Sequence, residues 1–162
     1  MAIAMMSWLL AIPLLGIGTG LRTFTPMAVL CWFAYNGALS VDGTWAAWTG
    51  RLWVAILFTV LAAGELAADK LPGVPARISK FPLLARLIFG GLVGSIAATA
   101  MEGPGIEGVL LGVLCALLGA FGGYMVRRDL VEKFQCMDWM IALSEDVFTI
   151  GIALYAARIV SE

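Results

Sequence analysis

Apolar runs broken by short polar or Pro/Gly punctuation divide the chain into six stretches, at about 2–21, 25–39, 51–70, 83–101, 106–126 and 139–159. Most have the roughly 20 residues needed to cross a bilayer, and all six are expected to be helices. The second is short. About 14 residues at 1.5 Å rise cover about 21 Å of a core about 30 Å thick, so this segment is expected as a half-helix, as a re-entrant segment, or extended through Thr23. Its start is marked, because Thr25 can cap and Pro26 suits the first helical position, where a missing N–H costs nothing.

Composition turns this pattern into a fold class. Of 162 residues, 62% are hydrophobic and only 13% charged, against about 25% charged in a soluble domain. The mean hydropathy is +0.98. The reading is an all-α, polytopic membrane bundle of about six segments, forming a single domain over 1–162 with no room for a separate soluble one. There is no His, and the three Cys (Cys31, Cys115, Cys136) are far apart. That removes imidazole metal sites, His relays, Ser-His-Asp catalysis and CxxC redox chemistry. No cofactor is expected. The start of the chain has no basic region of the kind a secretory signal needs, so it is read as the first span.

If all six segments cross, the connections after the first, third and fifth share one side. That side carries Arg22, Lys70, Arg77, Lys80, Arg86, Arg127, Arg128 and Lys133, whereas the other keeps Arg51 and Arg158 beside Asp42, Glu102, Glu107 and Glu162. By the positive-inside rule the basic side is cytoplasmic and both termini lie outside, on the periplasmic side of a bacterial inner membrane. Trp32, Trp45, Trp48, Trp53 and Tyr155 suit the outer interface, and Tyr124 and Trp139 the inner one. Small residues recur in segment five at Gly108, Gly112, Cys115, Ala116, Gly119 and Gly123, and in segment four at Gly90, Gly91, Gly94, Ser95 and Ala98. Such faces let backbones approach closely, first between neighbouring helices four and five. They also admit a homo-oligomer or a larger membrane complex. Three segments followed by three invite a 3+3 inverted repeat, although the halves share no clear residue-level identity.

Acids in apolar stretches carry the chemistry. A charge near mid-membrane costs about 2.5–3.5 kcal/mol, so Glu65, Asp69, Glu145 and Asp146 are expected to face a partner, a wet cavity or a solute. Glu65 and Asp69, at i and i+4, share one helix face. They stand at a helix C-terminus, where the macrodipole favours cations, so a compensating positive charge must come from the protein or from a bound ion. Arg22 is the leading protein candidate. On segment six, Glu145 and Asp146 are about 100° apart. Glu145 shares a face with Thr149 and is preferred as the inward group, leaving Asp146 for the helix start or the interface. Counting rise from Lys70 and Trp139 puts Glu65 and Glu145 at similar depth, roughly 8–10 Å inside the basic end. Together with Thr23, Thr25, Ser144 and Thr149 these acids form a hard-oxygen set suited to protons, alkali or alkaline-earth ions. Read the other way, Arg22, Lys70, Arg77 and Arg86 hold an anionic headgroup. Arg77, Lys80, Arg127, Arg128 and Lys133 read as topology determinants and headgroup contacts.

Three stretches carry a resemblance: Gly20-Leu21-Arg22-Thr23-Phe24-Thr25-Pro26, Gly64-Glu65-Leu66-Ala67-Ala68-Asp69-Lys70-Leu71-Pro72-Gly73-Val74-Pro75-Ala76-Arg77, and Ser144-Glu145-Asp146. In these, and over essentially its whole length, the chain resembles the bacterial membrane family called domain of unknown function 4126. The middle stretch is the most specific. The resemblance implies a compact multi-pass membrane protein with no established activity, and makes the acids a family-level feature.

The function expected from the residues is a small transporter or channel for an ion or polar solute, with proton coupling open to it. Glu65 and Glu145 would be its binding or protonation groups, with Asp69, Asp146, Thr23 and Thr149 around them and Arg22 as counter-charge. The alternative is a structural or assembly subunit whose Arg-carboxylate pairs serve packing only. The expected partners are the lipid bilayer and the small solute, and no nucleic acid. With no His and no nucleophile–base arrangement, a lipid-headgroup enzyme, whose carboxylates with a metal would hydrolyse a phosphoester, is the least favoured class.

Overall fold

The computed structural model describes residues 2–69, 80–134 and 138–162. These form α1 (Ala2–Leu21), α2 (Thr25–Tyr35), a short 3-10 helix (Trp45–Gly50), α3 (Leu52–Ala68), α4 (Lys80–Ala100), α5 (Gly105–Phe134) and α6 (Asp138–Ser161), with no strand among the described residues. Lys70, Arg77, Cys136 and the Pro/Gly-rich stretch after Lys70 fall outside them. Three helices, at Lys80–Ala100, Gly105–Glu132 and Trp139–Ser161, are long and apolar enough to cross a membrane, and Ser7–Leu21, Thr25–Tyr35 and Leu52–Ala68 are apolar but shorter.

Segment two is the half-length helix, 11 residues or about 16 Å. Segment five runs on past 126 to Phe134, 30 residues in all and about 45 Å. Arg127, Arg128 and Leu130 are good helix formers and nothing among them breaks the pattern, so the polar tail simply prolongs the apolar helix. With 11 and 30 residues, the middle helices of the two halves are unmatched in length.

Two helices end in the same way with different residues. At the end of α2, Ala38 N–H reaches Phe33 O and Gly37 N–H reaches Ala34 O, with Gly37 at φ +72. At the end of α4, Gly103 N–H reaches Ala98 O and Glu102 N–H reaches Thr99 O, and here Glu102 takes the left-handed position at φ 55. Both are Schellman closures, which normally place glycine at that position.

α5 packs between α4 and α1. A Cβ on Gly94 would overlap the Gly108 carbonyl oxygen, and one on Gly112 that of Gly90. On the other flank Gly16 meets Cys115, Gly20 meets Ala116 and Gly119, and Gly119 lies against the Ile17 carbonyl. The small-residue faces of α4 and α5 are therefore occupied inside the molecule, where backbones nearly touch. Successive helices alternate in direction. At one end Trp45 Nε1 donates to Thr99 Oγ1 at 3.0 Å and Trp8 lies beside Gly103. At the other end the α1–α2 turn meets the end of α3, the start of α4, the late part of α5 and the early part of α6. Just inside that end, Phe24, Phe58 and Phe89 stack edge-on and tilted with centroids 5.1–6.4 Å apart. They seal the apolar core of Ile12, Leu15, Met27, Leu30, Val93 and Ile96 from the charges beyond.

Candidate functional site

The tight turn Arg22-Thr23-Phe24 reverses the chain between α1 and α2, leaving a helix end and a helix start side by side. Neither is capped locally, since the N-cap residue of α2 is Phe24, which has no acceptor. Thr25, expected as the cap, is already the first helical residue, and its buried hydroxyl has no hydrogen-bond partner. The cap comes from α3. Glu65 Oε1 accepts from the Thr23 N–H at 2.9 Å and Oε2 from the Phe24 N–H at 3.0 Å. The opposite pole is served by α4, where Arg86 Nη1 donates to the carbonyls of Gly20 at 2.5 Å and Leu21 at 3.2 Å. Arg86 Nη2 also stands 3.6 Å from Glu65 Oε1. A carboxylate thus meets the positive start of one helix and a guanidinium the negative end of the other.

Beside this capping pair runs a ring of charges. Arg22, with its side chain 1% exposed, holds Nη2 at 2.8 Å from Asp69 Oδ2 and 2.6 Å from Asp146 Oδ1. Asp69 Oδ2 also accepts from Arg127 Nη1 at 2.9 Å, and the same Nη1 is 4.0 Å from Glu145 Oε2. The series Asp146, Arg22, Asp69, Arg127, Glu145 begins and ends on consecutive residues of α6, so each guanidinium is shared between two carboxylates. Arg22 Nε and Nη1 remain buried without an acceptor.

The two α6 acids depart from expectation. Both turn inward, and Asp146 is the deeper, its side chain 6% exposed against 12% for Glu145. Their 100° separation is accommodated because a cation lies on each side, Arg22 for one and Arg127 for the other. The threonines take backbone roles. Thr23 offers its N–H to Glu65, and Thr149 Oγ1 donates to the Glu145 carbonyl oxygen at 2.8 Å. Ser144 Oγ likewise donates to the Ile141 carbonyl at 2.8 Å. Among the described residues no group of three or more His, Cys, Asp or Glu is placed to hold a metal ion.

α5 and α6 barely touch each other, each packing on α1. Between the three helices lies an open cavity of about 540 Å³, lined by Ile17 and Leu21, by Leu118, Gly119, Gly122, Gly123 and Val126, and by Ser144, Glu145 and Phe148. Glu145 is the charged residue on its wall; Glu65, expected to border the same space, is not on it.

Sequence reasoning placed Arg22 with the acids but left Arg127 among the topology determinants and Arg86 with an anion site. The periodicity that finds them is present. Arg127 continues the buried stripe Ala116, Ala120, Gly123 at helical spacing, and Arg86 opens the stripe Gly90, Gly94, Ala97. A cation on the small-residue face of a helix has no lipid to face and must meet the neighbour's carboxylate.

These features define a bundle of apolar helices tied at one end by an arginine–carboxylate layer. Residues 9–159 match the profile of domain of unknown function DUF4126, and the chain belongs to that family. Among curated proteins and among solved structures, nothing matches the chain.

Proposed function

We propose that the protein is a small multi-pass membrane transporter in which Glu145 takes up and releases a proton at the mouth of the α1–α5–α6 cavity. The carrying observation is that Glu145 both lines that cavity and belongs to the shared ring of ion pairs. Because Arg127 and Arg22 each stand between two carboxylates, protonating Glu145 shifts the charge of Arg127 toward Asp69. That in turn loosens Asp69 from Arg22 and strengthens Arg22 on Asp146. A proton at the cavity thereby biases contacts among α3, α5, α6 and the α1–α2 turn, which is the coupling a transporter needs. Glu65 and Arg86 are assigned to holding the turn rather than to the solute. The alternating helices support six crossings, α2 with the following 3-10 helix making a short one, and the basic end is assigned to the cytoplasm of a bacterial inner membrane with both termini outside. An inverted repeat draws support only from this alternation.

The test is proton entry into proteoliposomes carrying a lumenal pH dye and an inside-negative potassium–valinomycin potential. Entry should exceed that of protein-free vesicles and fall to their level in Glu145→Gln. Entry that does not change in Glu145→Gln removes the residue from the mechanism. A second reading, a structural subunit, is favoured by the full use of Glu65 and Arg86 in capping. It predicts copurification with a fixed partner in mild detergent and no proton movement by the isolated chain.

A further inference from the structure

We propose that the cavity between α1, α5 and α6 binds a lipophilic monovalent organic cation, its apolar body against Ile17, Leu118 and Phe148 and its charge on Glu145. The inference rests on Glu145 being the working group of the proposed transporter, and it names the solute class.

The chemistry of the wall selects the ligand. Ser144 and Glu145 are the polar side chains on an otherwise apolar surface. A metal cation that leaves water needs about six to eight oxygen ligands to replace its shell, and this wall cannot offer them. Inorganic ions are thus poor occupants, and an anion would meet the Glu145 carboxylate. A cation whose charge is spread over, or shielded by, hydrocarbon needs no such oxygen cage. It gains from burial along the wall and from one carboxylate at its end.

The glycines of α5 separate packing from open space. A Cβ on Gly119 would strike the Ile17 backbone, so that glycine is needed for helix contact. At Gly122 an added Cβ meets nothing within 4 Å, so this glycine serves no helix contact and leaves the cavity wall open. Glycine inside a helix costs about 1 kcal/mol relative to alanine, and here no close neighbour requires it. Access is lateral, since Leu118 and Phe148 at the rim are 67% and 58% exposed, on the apolar flank of two helices long enough to cross a bilayer. A lipophilic cation concentrates in that phase. The volume of about 540 Å³ falls in the range of small-molecule sites, about 300–1,000 Å³.

The charges around Glu145 couple the two ligands. Arg127 of α5 stands 4.0 Å away, backed by Asp69 of α3, Arg22 of the α1–α2 turn and Asp146 of α6. An organic cation and a proton compete for the same carboxylate, so the cation displaces any proton that Glu145 holds.

The experiment uses the full chain in neutral detergent with tetraphenylphosphonium as probe, followed by isothermal titration calorimetry. Binding is expected, and it should be weaker by about tenfold or more in Glu145→Gln. Gly122→Leu, which fills the cavity without touching a charge, should lose it as well. Tetraphenylborate, of the same shape and opposite charge, should not compete. Binding that survives both substitutions, or competition by tetraphenylborate, overturns the proposal. So does a dimer in sedimentation that Gly122→Leu dissociates, because the cavity is then an interface between copies. Glu145-dependent proton entry without tetraphenylphosphonium binding removes the solute class and leaves the proton reading standing. Binding that meets these criteria without proton entry supports the site and removes the transport.

Discussion

Replacing Glu65 with alanine tests the device on which the whole charged end depends. Two partly buried N–H groups, those of Thr23 and Phe24, lose their acceptor, and Arg86, with its side chain 6% exposed, loses the carboxylate 3.6 Å away. Removing a helix N-cap costs about 0.5–2 kcal/mol. Removing one partner of a buried ion pair costs about 3–5 kcal/mol. The terms overlap because Arg86 keeps the Gly20 and Leu21 carbonyls, so the expected loss is about 3–5 kcal/mol in all. Glu65→Gln keeps one acceptor oxygen and should lose about 2 kcal/mol. The assay is reversible unfolding in mixed micelles followed by tryptophan fluorescence, with amide hydrogen exchange at Thr23 and Phe24 as the local readout. In an Arg86→Met background, Glu65→Ala should cost at least about 1 kcal/mol less than in the parent, since no buried cation is then stranded. A loss below about 1 kcal/mol in Glu65→Ala, with unchanged exchange at those two amides, would refute the assignment of the cap to α3.

Glycine substitutions should split by neighbour. Gly94→Ala, whose Cβ overlaps the Gly108 carbonyl, should destabilise by about 1–3 kcal/mol, whereas Gly64→Ala, with nothing within 4 Å, should stabilise by about 0.5–1 kcal/mol in the same unfolding assay. Glu102→Gly, at φ 55, should raise stability by about 0.5–1 kcal/mol, because the Schellman closure of α4 then has the residue suited to the left-handed region. Single cysteines at Glu102 and Arg128, in a chain otherwise free of cysteine, should label from opposite faces of inverted and right-side-out vesicles. Labelling of both from one face would contradict the alternating crossings.

The helices were readable because most apolar stretches end in punctuation with a physical effect, such as Gly103-Pro104 before α5. Two ends escaped. Segment two, expected to run to 39, stops at Tyr35 because Gly37 inside it takes the left-handed position, and segment five runs on because its break in hydropathy at Arg127 is not a break in helix propensity. The pairing of Arg22 with Asp69 was also readable, from carboxylates standing at the wrong pole of a helix. Two things were not. Which oxygen atoms serve the backbone depends on the turn geometry at Thr23 and Phe24, and no local motif announces a cap supplied from 42 positions away. The sharing of Asp69 between Arg22 and Arg127 depends on how α5 is rotated about its axis. The glycine stripe encodes that rotation, but only when followed past the point where the apolar residues stop.

The two charge systems meet at the α1–α2 turn and on α3, but they bind different kinds of group, and that separates stability from function. Glu65 and Arg86 satisfy backbone groups whose partners do not change when a proton moves, so they hold the turn at a fixed position. The ring satisfies mainly other side chains, whose pairing can be redistributed without breaking a helix. A buried ion pair is weak evidence for stability, because desolvation offsets much of its attraction. A layer made only for cohesion would therefore gain from apolar replacements of similar volume. The paired change Arg127→Met with Glu145→Leu removes the cavity end of the ring while leaving Arg22 on Asp69 and Asp146. If the ring is structural glue, that variant should be as stable as the parent and equally functional in its complex. If Glu145 is the proton site, the variant should fold normally and conduct no protons, a combination that cohesion alone does not produce.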